Sequence, residues 1–80
     1  MQKFRISVVN ETYATSEDHE ALSVETARSR GLQAALQIGV DEVLSGKNFF
    51  AAEVKVEAED ELITRLVVSV GASPIQTPEK

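Results

Sequence analysis

Ser23-Val24-Glu25-Thr26-Ala27-Arg28-Ser29-Arg30-Gly31-Leu32-Gln33-Ala34-Ala35-Leu36-Gln37-Ile38-Gly39-Val40-Asp41-Glu42-Val43-Leu44-Ser45 repeats its apolar residues at helical spacing. Ser23 suits the N-cap, where its hydroxyl can accept a bond from a first-turn N–H. Glu25 complements the positive end of the helix dipole. Gly46 suits the C′ position that ends the helix. About 22 residues at 1.5 Å each predict a helix of roughly 33 Å.

At 100° per residue, Val24, Ala27, Gly31, Ala34, Ala35 and Ile38 share one stripe. Leu32, Leu36, Gly39 and Val43 form a second stripe beside it. The combined apolar arc spans roughly 200°, about twice what packing on one sheet requires. Either the sheet wraps around the helix or a partner covers the second stripe. Gly31 and Gly39 each cost about 1 kcal/mol relative to Ala in a helix interior, so they suggest close approach of another backbone or side chain.

Working outward, the helix is followed by two runs of strand period. Phe50, Ala52, Val54, Val56 and Ala58 share one face of the first, and Leu62, Thr64, Leu66, Val68 and Val70 share one face of the second. Before the helix, Phe4, Ile6 and Val8 alternate with polar neighbours as in a half-buried strand. Asn10-Glu11 reads as a turn, since Asn tolerates positive φ, and residues 12–15 as a short or absent second strand. The polar, unpatterned residues 16–20 read as a loop. The expected fold is α+β, one long helix on a three- to four-stranded antiparallel sheet in the order β-(β)-α-β-β. The expected core is Phe4, Ile6, Val8, Val24, Ala35, Ile38, Val54, Val56, Leu66 and Val68.

The connection between the last two strands is constrained by parity. Residues opposed in an antiparallel pair face the same side, so their numbers must here sum to an even value. A plain two-residue turn at Glu59-Asp60 would pair 58 with 61, an odd sum. Three or five residues, or a bulge, would restore the parity. A five-residue loop, Glu57–Glu61, sets Glu53 against Arg65 and is the expectation on charge.

Eighty residues make one domain, expected over residues 1–71, with a disordered tail over 72–80. Cysteine is absent, so disulfides and thiolate chemistry are excluded, and self-association becomes the expected stabiliser of so small a core. The net charge of −5, with Lys and Arg scattered among carboxylates, argues against nucleic acid or an anionic membrane as partner. No apolar run is long enough to span a bilayer and no signal peptide is visible, so a cytoplasmic location is expected.

Few residues carry chemistry. Glu17, Asp18, His19 and Glu20 combine carboxylates with the single imidazole and are the candidates for a divalent cation. Consecutive residues point in different directions, however, and negative charge ahead of a helix is favourable in itself. Glu57, Glu59, Asp60 and Glu61 lack the glycine and ligand spacing of a calcium loop. No serine sits in a nucleophile elbow or beside a second imidazole. No metal, cofactor or catalytic site is expected, and the chain is not read as an enzyme.

Phe4-Arg5-Ile6, Asp18, Leu22 through Ala27-Arg28, Leu32 through Asp41-Glu42-Val43-Leu44, Val54-Lys55-Val56 and Leu66–Val70 together form a pattern. Over about residues 3–70 it resembles a family of short, uncharacterised bacterial proteins known only as a domain of unknown function. The chain departs from that family's Asp-x-x-Gly turns at Glu20 or Ala21 and at Glu61. The resemblance implies the fold and adds no site. In element order and length the chain is also similar to the dodecin type, β-α-β-β proteins that assemble and bind flavin between subunits. The only aromatic residues available to stack on such a ring are Phe4, Tyr13, Phe49 and Phe50.

The function expected is a non-enzymatic homo-oligomeric or protein-interaction module. The alternative is a small-molecule (for example flavin-type) binding assembly with its pocket between subunits. The expected interface residues are Leu32, Leu36 and Val43 on the helix and Phe49, Ile63 and Val67 on the outer sheet face.

Overall fold

The computed structural model describes residues 1–75. Strand β1 (Gln2–Val9) turns into β2 (Ala14–Ala21), helix α1 (Val24–Leu44) crosses the sheet, and β3 (Phe49–Ala58) and β4 (Glu61–Gly71) form a final hairpin. The four strands are all antiparallel in the order β2-β1-β3-β4, and α1 packs on one face. The fold is α+β, as the helical and strand periods predict. Residues 76–80, part of the tail expected to be disordered, lie outside the described residues. Residues 72–75 form no helix or strand, and the Ala72 N–H donates to the Asn48 carbonyl at 2.9 Å.

The helix ends form as the sequence predicts. Ser23 is extended (φ −154°, ψ 165°) and its Oγ accepts from the Thr26 N–H at 3.2 Å. At the other end Gly46 takes φ +117°. There the Gly46 N–H donates to the Val43 carbonyl at 3.1 Å and the Lys47 N–H to the Glu42 carbonyl at 3.2 Å, the Schellman arrangement.

Ala27, Gly31, Ala35 and Gly39, each four residues from the last, are the fully buried stripe of the helix. Their small size lets α1 settle onto the strands. A Cβ on Gly31 would lie 2.5 Å from Val54 Cγ1, and one on Gly39 would lie 2.7 Å from Val70 Cγ2 and 2.8 Å from Phe50 Cδ2. Both glycines therefore mark close approach to the sheet.

The core divides into two buried clusters. One holds Phe4, Ile6, Ala21, Ala27, Val56 and Ala58, the other Val8, Ala35, Phe50, Ala52, Val54 and Val68. Of the expected core, Val24, Ile38 and Leu66 are only partly buried and pack around these clusters. Ala34, expected in the buried stripe, is exposed. The contact stripe advances by four residues per turn, a slow rotation that carries 34 away from the sheet and brings 39 onto it.

Two connections differ from expectation. Residues 16–20 are strand, paired with β1 from Gln2↔Ala21 to Val9↔Ala14. Their polar sequence hides the strand because β2 is an edge that lies beyond most of the helix. Its cohesion comes from main-chain pairing, the Arg5 Nε–Asp18 Oδ1 ion pair at 3.3 Å and the Ser7 Oγ–Ser16 Oγ hydrogen bond at 2.7 Å. The turn before it is held by a side chain rather than by positive φ. Asn10 Oδ1 accepts from the N–H groups of Thr12 (2.9 Å) and Tyr13 (3.1 Å).

The β3–β4 connection is a two-residue turn, not the five-residue loop. Ala58 pairs with Glu61, and Glu59 (φ 53°) and Asp60 (φ 65°) are both left-handed, as a type I′ turn requires. Parity is restored by a bulge: Val56 pairs with Thr64 and Glu57 with Leu62, leaving Ile63 as the extra residue. Beyond it Val54 faces Leu66 and Lys55 faces Arg65. The like charges are tolerated because Arg65 Nε reaches diagonally to Glu53 Oε2 at 3.2 Å. The attraction that favoured the longer loop is thus available without it.

Candidate interaction edge and the trough beside the helix

Strand alternation splits the acidic cluster. Cross-strand partners share a face, so Asp18 (opposite Arg5) and Glu20 (opposite Lys3) lie on the outer face, while Glu17 and His19 lie on the helix side. His19 Nε2 stands 3.1 Å from Glu17 Oε1. Among the described residues no group of three or more metal-ligating side chains comes together. The four residues therefore do not assemble as one cation site.

Glu17 and His19 instead line a trough. The helix leans toward β3 and β4, leaving a groove of about 350 Å³ between its Arg30-Ala34-Ile38 flank and β2. Buried Ile6 and Val8 form its floor, and Thr15, Glu17, His19 and Gln37 complete the wall. The trough is an internal feature of one chain, and the sequence reading missed it because it required β2 to be a strand. The signal for that strand was present: Lys3 and Arg5 mirror Glu20 and Asp18 at one constant sum, as antiparallel partners must.

Tyr13 packs against the second core cluster, and its hydroxyl oxygen is shut off from solvent without a hydrogen-bond partner. Burial, reinforced by the charge of Glu42, raises its pKa above the ordinary 10.

The opposite flank of α1 is apolar. Leu32, Leu36, Val40 and Leu44 each follow the buried stripe by one residue or continue that spacing, which turns them toward β4. Leu32 and Val43, expected at an interface, are partly buried, and Leu32 packs on the core. Leu36 is more exposed, and Val40 and Leu44, absent from the expectation, are exposed with it. On the sheet, Phe49 is 65% exposed and Val67 74%, and Ile63 and Leu62 are also open.

Beneath that flank lies the free edge of β4, which pairs only with β3. Along an edge strand every second residue turns its N–H and C=O outward. Comparison with family models, with curated proteins and with solved structures finds no match. The geometry thus carries the functional argument alone. Among the described residues no helix is long and apolar enough to cross a membrane.

Proposed function

We propose that this chain is a non-enzymatic association module, homo-oligomeric, that binds through the β4 edge and the helix flank above it. The observation that carries the reading is the contrast between the two sheet edges. Edge β2 holds Glu17, Asp18, His19 and Glu20 among its eight residues, the charged dress that discourages further pairing. Edge β4 has eleven residues, Glu-Leu-Ile-Thr-Arg-Leu-Val-Val-Ser-Val-Gly, with no proline and two charges. One of those charges, Arg65, is already engaged by Glu53. A long, apolar, β-branched edge is an invitation to a further strand, and a stable fold keeps one where a strand is meant to arrive. The exposed Leu36, Val40 and Leu44 on the same side supply apolar area of the kind that marks an interaction surface. The resemblance to the short bacterial family belongs to this reading as well and adds no chemistry to it.

Light scattering on the purified chain tests it. A dimer or larger species is expected at about 100 μM, and Val67→Lys, a substitution at an exposed position, should shift the mass toward monomer with an unchanged circular dichroism spectrum. A monomer at millimolar concentration would remove the proposal.

The trough favours a second reading, binding of a small molecule, flavin-type or other. Its supporting observation is the convergence of Arg30, His19, Glu17 and Gln37 over an apolar floor within one subunit. Native mass spectrometry of protein purified without denaturation tests this. A bound molecule lost on Ala34→Trp, which fills the groove, would support it, and a bare chain would not.

A further inference from the structure

Resting on the association reading, we propose that the partner of the β4 edge is β4 of a second copy. It is paired antiparallel about a two-fold axis at Val67, so that two four-stranded sheets join into one of eight strands.

The side-chain pattern of β4 is self-complementary about that point. With Val67 opposite its own mate, Leu66 faces Val68, Arg65 faces Ser69 and Thr64 faces Val70, each twice. All these sums are even, so the inner residues Thr64, Leu66, Val68 and Val70 stay on the helix side and Val67 stays on the outer side. The segment Thr64–Val70 lies wholly beyond the bulge, where the β3–β4 register is regular.

Charge selects this register from its neighbours. Centring the axis on Arg65 would set the two guanidinium groups directly opposite, about 5 Å apart. Centring it on Leu66 would place them diagonally, about 8 Å apart. Centring it on Val67 separates them by four residues along the strands, about 13 Å at 3.3 Å per residue, which exceeds the screening length of physiological salt. Moving further, to Val68 or Ser69, keeps them apart but shortens the ladder to Arg65–Gly71 or Val67–Gly71, whereas Val67 retains Ile63–Gly71. The like-charge term and the ladder length together favour Val67.

The helices are compatible with the arrangement. A two-fold perpendicular to the sheet puts both copies of α1 on the same face with their Leu32-Leu36-Val40-Leu44 flanks turned toward each other. The helix crosses the sheet obliquely: Gly31 sits against Val54 of β3 and Ile6 of β1, and Gly39 against Phe50 of β3 and Val70 of β4. Around its middle it therefore lies over β3, about one and a half strand spacings, ~7 Å, from the new axis, and the two helix axes come ~14 Å apart. The flank side chains project into the space between them, so one partner faces both the edge and the flank.

The chain has no cysteine, so single cysteines report the register directly. Ile63→Cys, Val67→Cys and Ser69→Cys, all of which keep Arg65, should be treated with a short bis-maleimide, alone and in pairwise mixtures. Their molecular mass should be measured beside them by light scattering. Val67→Cys alone should cross-link at least about tenfold faster than Ser69→Cys alone or than the mixed product of any two variants, because only that pair is held within about 5 Å. Fastest product from Ser69→Cys alone, or between two different variants, would assign a different axis and overturn the register while leaving association intact. A dimer in which none of the three cross-links would place the interface away from β4. A monomer by light scattering would sink both this inference and the reading beneath it.

Discussion

Replacing Gly31 by alanine is the sharpest probe of how the helix meets the sheet. In an exposed helix the change would stabilise by about 1 kcal/mol, since alanine is the best helix former and glycine among the worst. Here the new Cβ would stand 2.5 Å from Val54 Cγ1 and 3.0 Å from Ile6 Cγ2. Val54 is fully buried and belongs to the packed second cluster, and its β-branched side chain has little rotamer freedom with which to retreat. Overpacking of this kind costs about 1–3 kcal/mol, so the net expectation is a destabilisation of about 0–2 kcal/mol. The decisive measurement is a double-mutant cycle. Val54→Ala removes the offending methyl and by itself costs about 1–3 kcal/mol through lost burial and the cavity left behind. In that background Gly31→Ala should reverse sign and stabilise, because the added methyl occupies the vacated space and the helix propensity term is no longer opposed. The expected coupling is about 1–3 kcal/mol. Urea denaturation followed by circular dichroism gives all four corners. The variants should be compared at one protein concentration in the Val67→Lys background, so that association does not enter the stability. Stabilisation of about 1 kcal/mol by Gly31→Ala with Val54 intact would show that α1 does not approach β3 as closely as described.

Four further outcomes are expected. Tyr13→Phe should be neutral or slightly stabilising at pH 7, since it removes a buried hydroxyl that has no partner. Because the Tyr13 pKa is raised in the fold, its contribution is fully present below pH 10 and is lost as pH rises through the folded value. Denaturation midpoints should therefore fall more steeply above pH 10 in the parent than in Tyr13→Phe, and parallel curves would contradict the burial. Converting Glu59-Asp60 to Asn-Gly should stabilise by about 1 kcal/mol, as both positions hold positive φ, and a loss on thermal melting would refute the type I′ turn. Ser23→Ala should cost about 1 kcal/mol by freeing the first-turn N–H it caps, and an unchanged urea midpoint would deny the cap. Zinc or calcium at about 1 mM should leave the melting temperature unchanged, because Glu17 and His19 face away from Asp18 and Glu20; a saturable rise would show a site that the strand geometry forbids.

Local physics made much of the fold legible without coordinates. The helix from 24 to 44 follows from apolar spacing, a serine able to cap and a glycine able to turn left-handed, all of which act within a few residues. The same holds for β3 and β4, whose more buried residues alternate, and for β1, where only buried Ser7 interrupts the alternation. Local pattern failed where burial is absent. Strand β2 lies beyond most of the helix, so hydropathy carries no imprint of it, and only its pairing with β1 reveals that residues 16–20 are extended. Hairpin parity correctly required an irregularity, but three side-chain environments had to be weighed at once to find it: a turn tolerant of positive φ, a bulge at Ile63 and a diagonal bond from Arg65 to Glu53. The candidate surface divides in the same way. Leu36, Phe49, Ile63 and Val67 are apolar in excess of what one helix face and one sheet face can bury, and composition alone declares that excess. Whether the excess converges on one side is a property of strand order and of where the helix comes to rest. With β3 inside and β4 outside, the flank Leu36-Val40-Leu44 stands over an open edge, while the charged edge β2 stands across the sheet beside a trough. Contacts between residues far apart in the chain decide that placement, because main-chain pairing and close packing at Gly31 and Gly39 depend on geometry that no single segment contains.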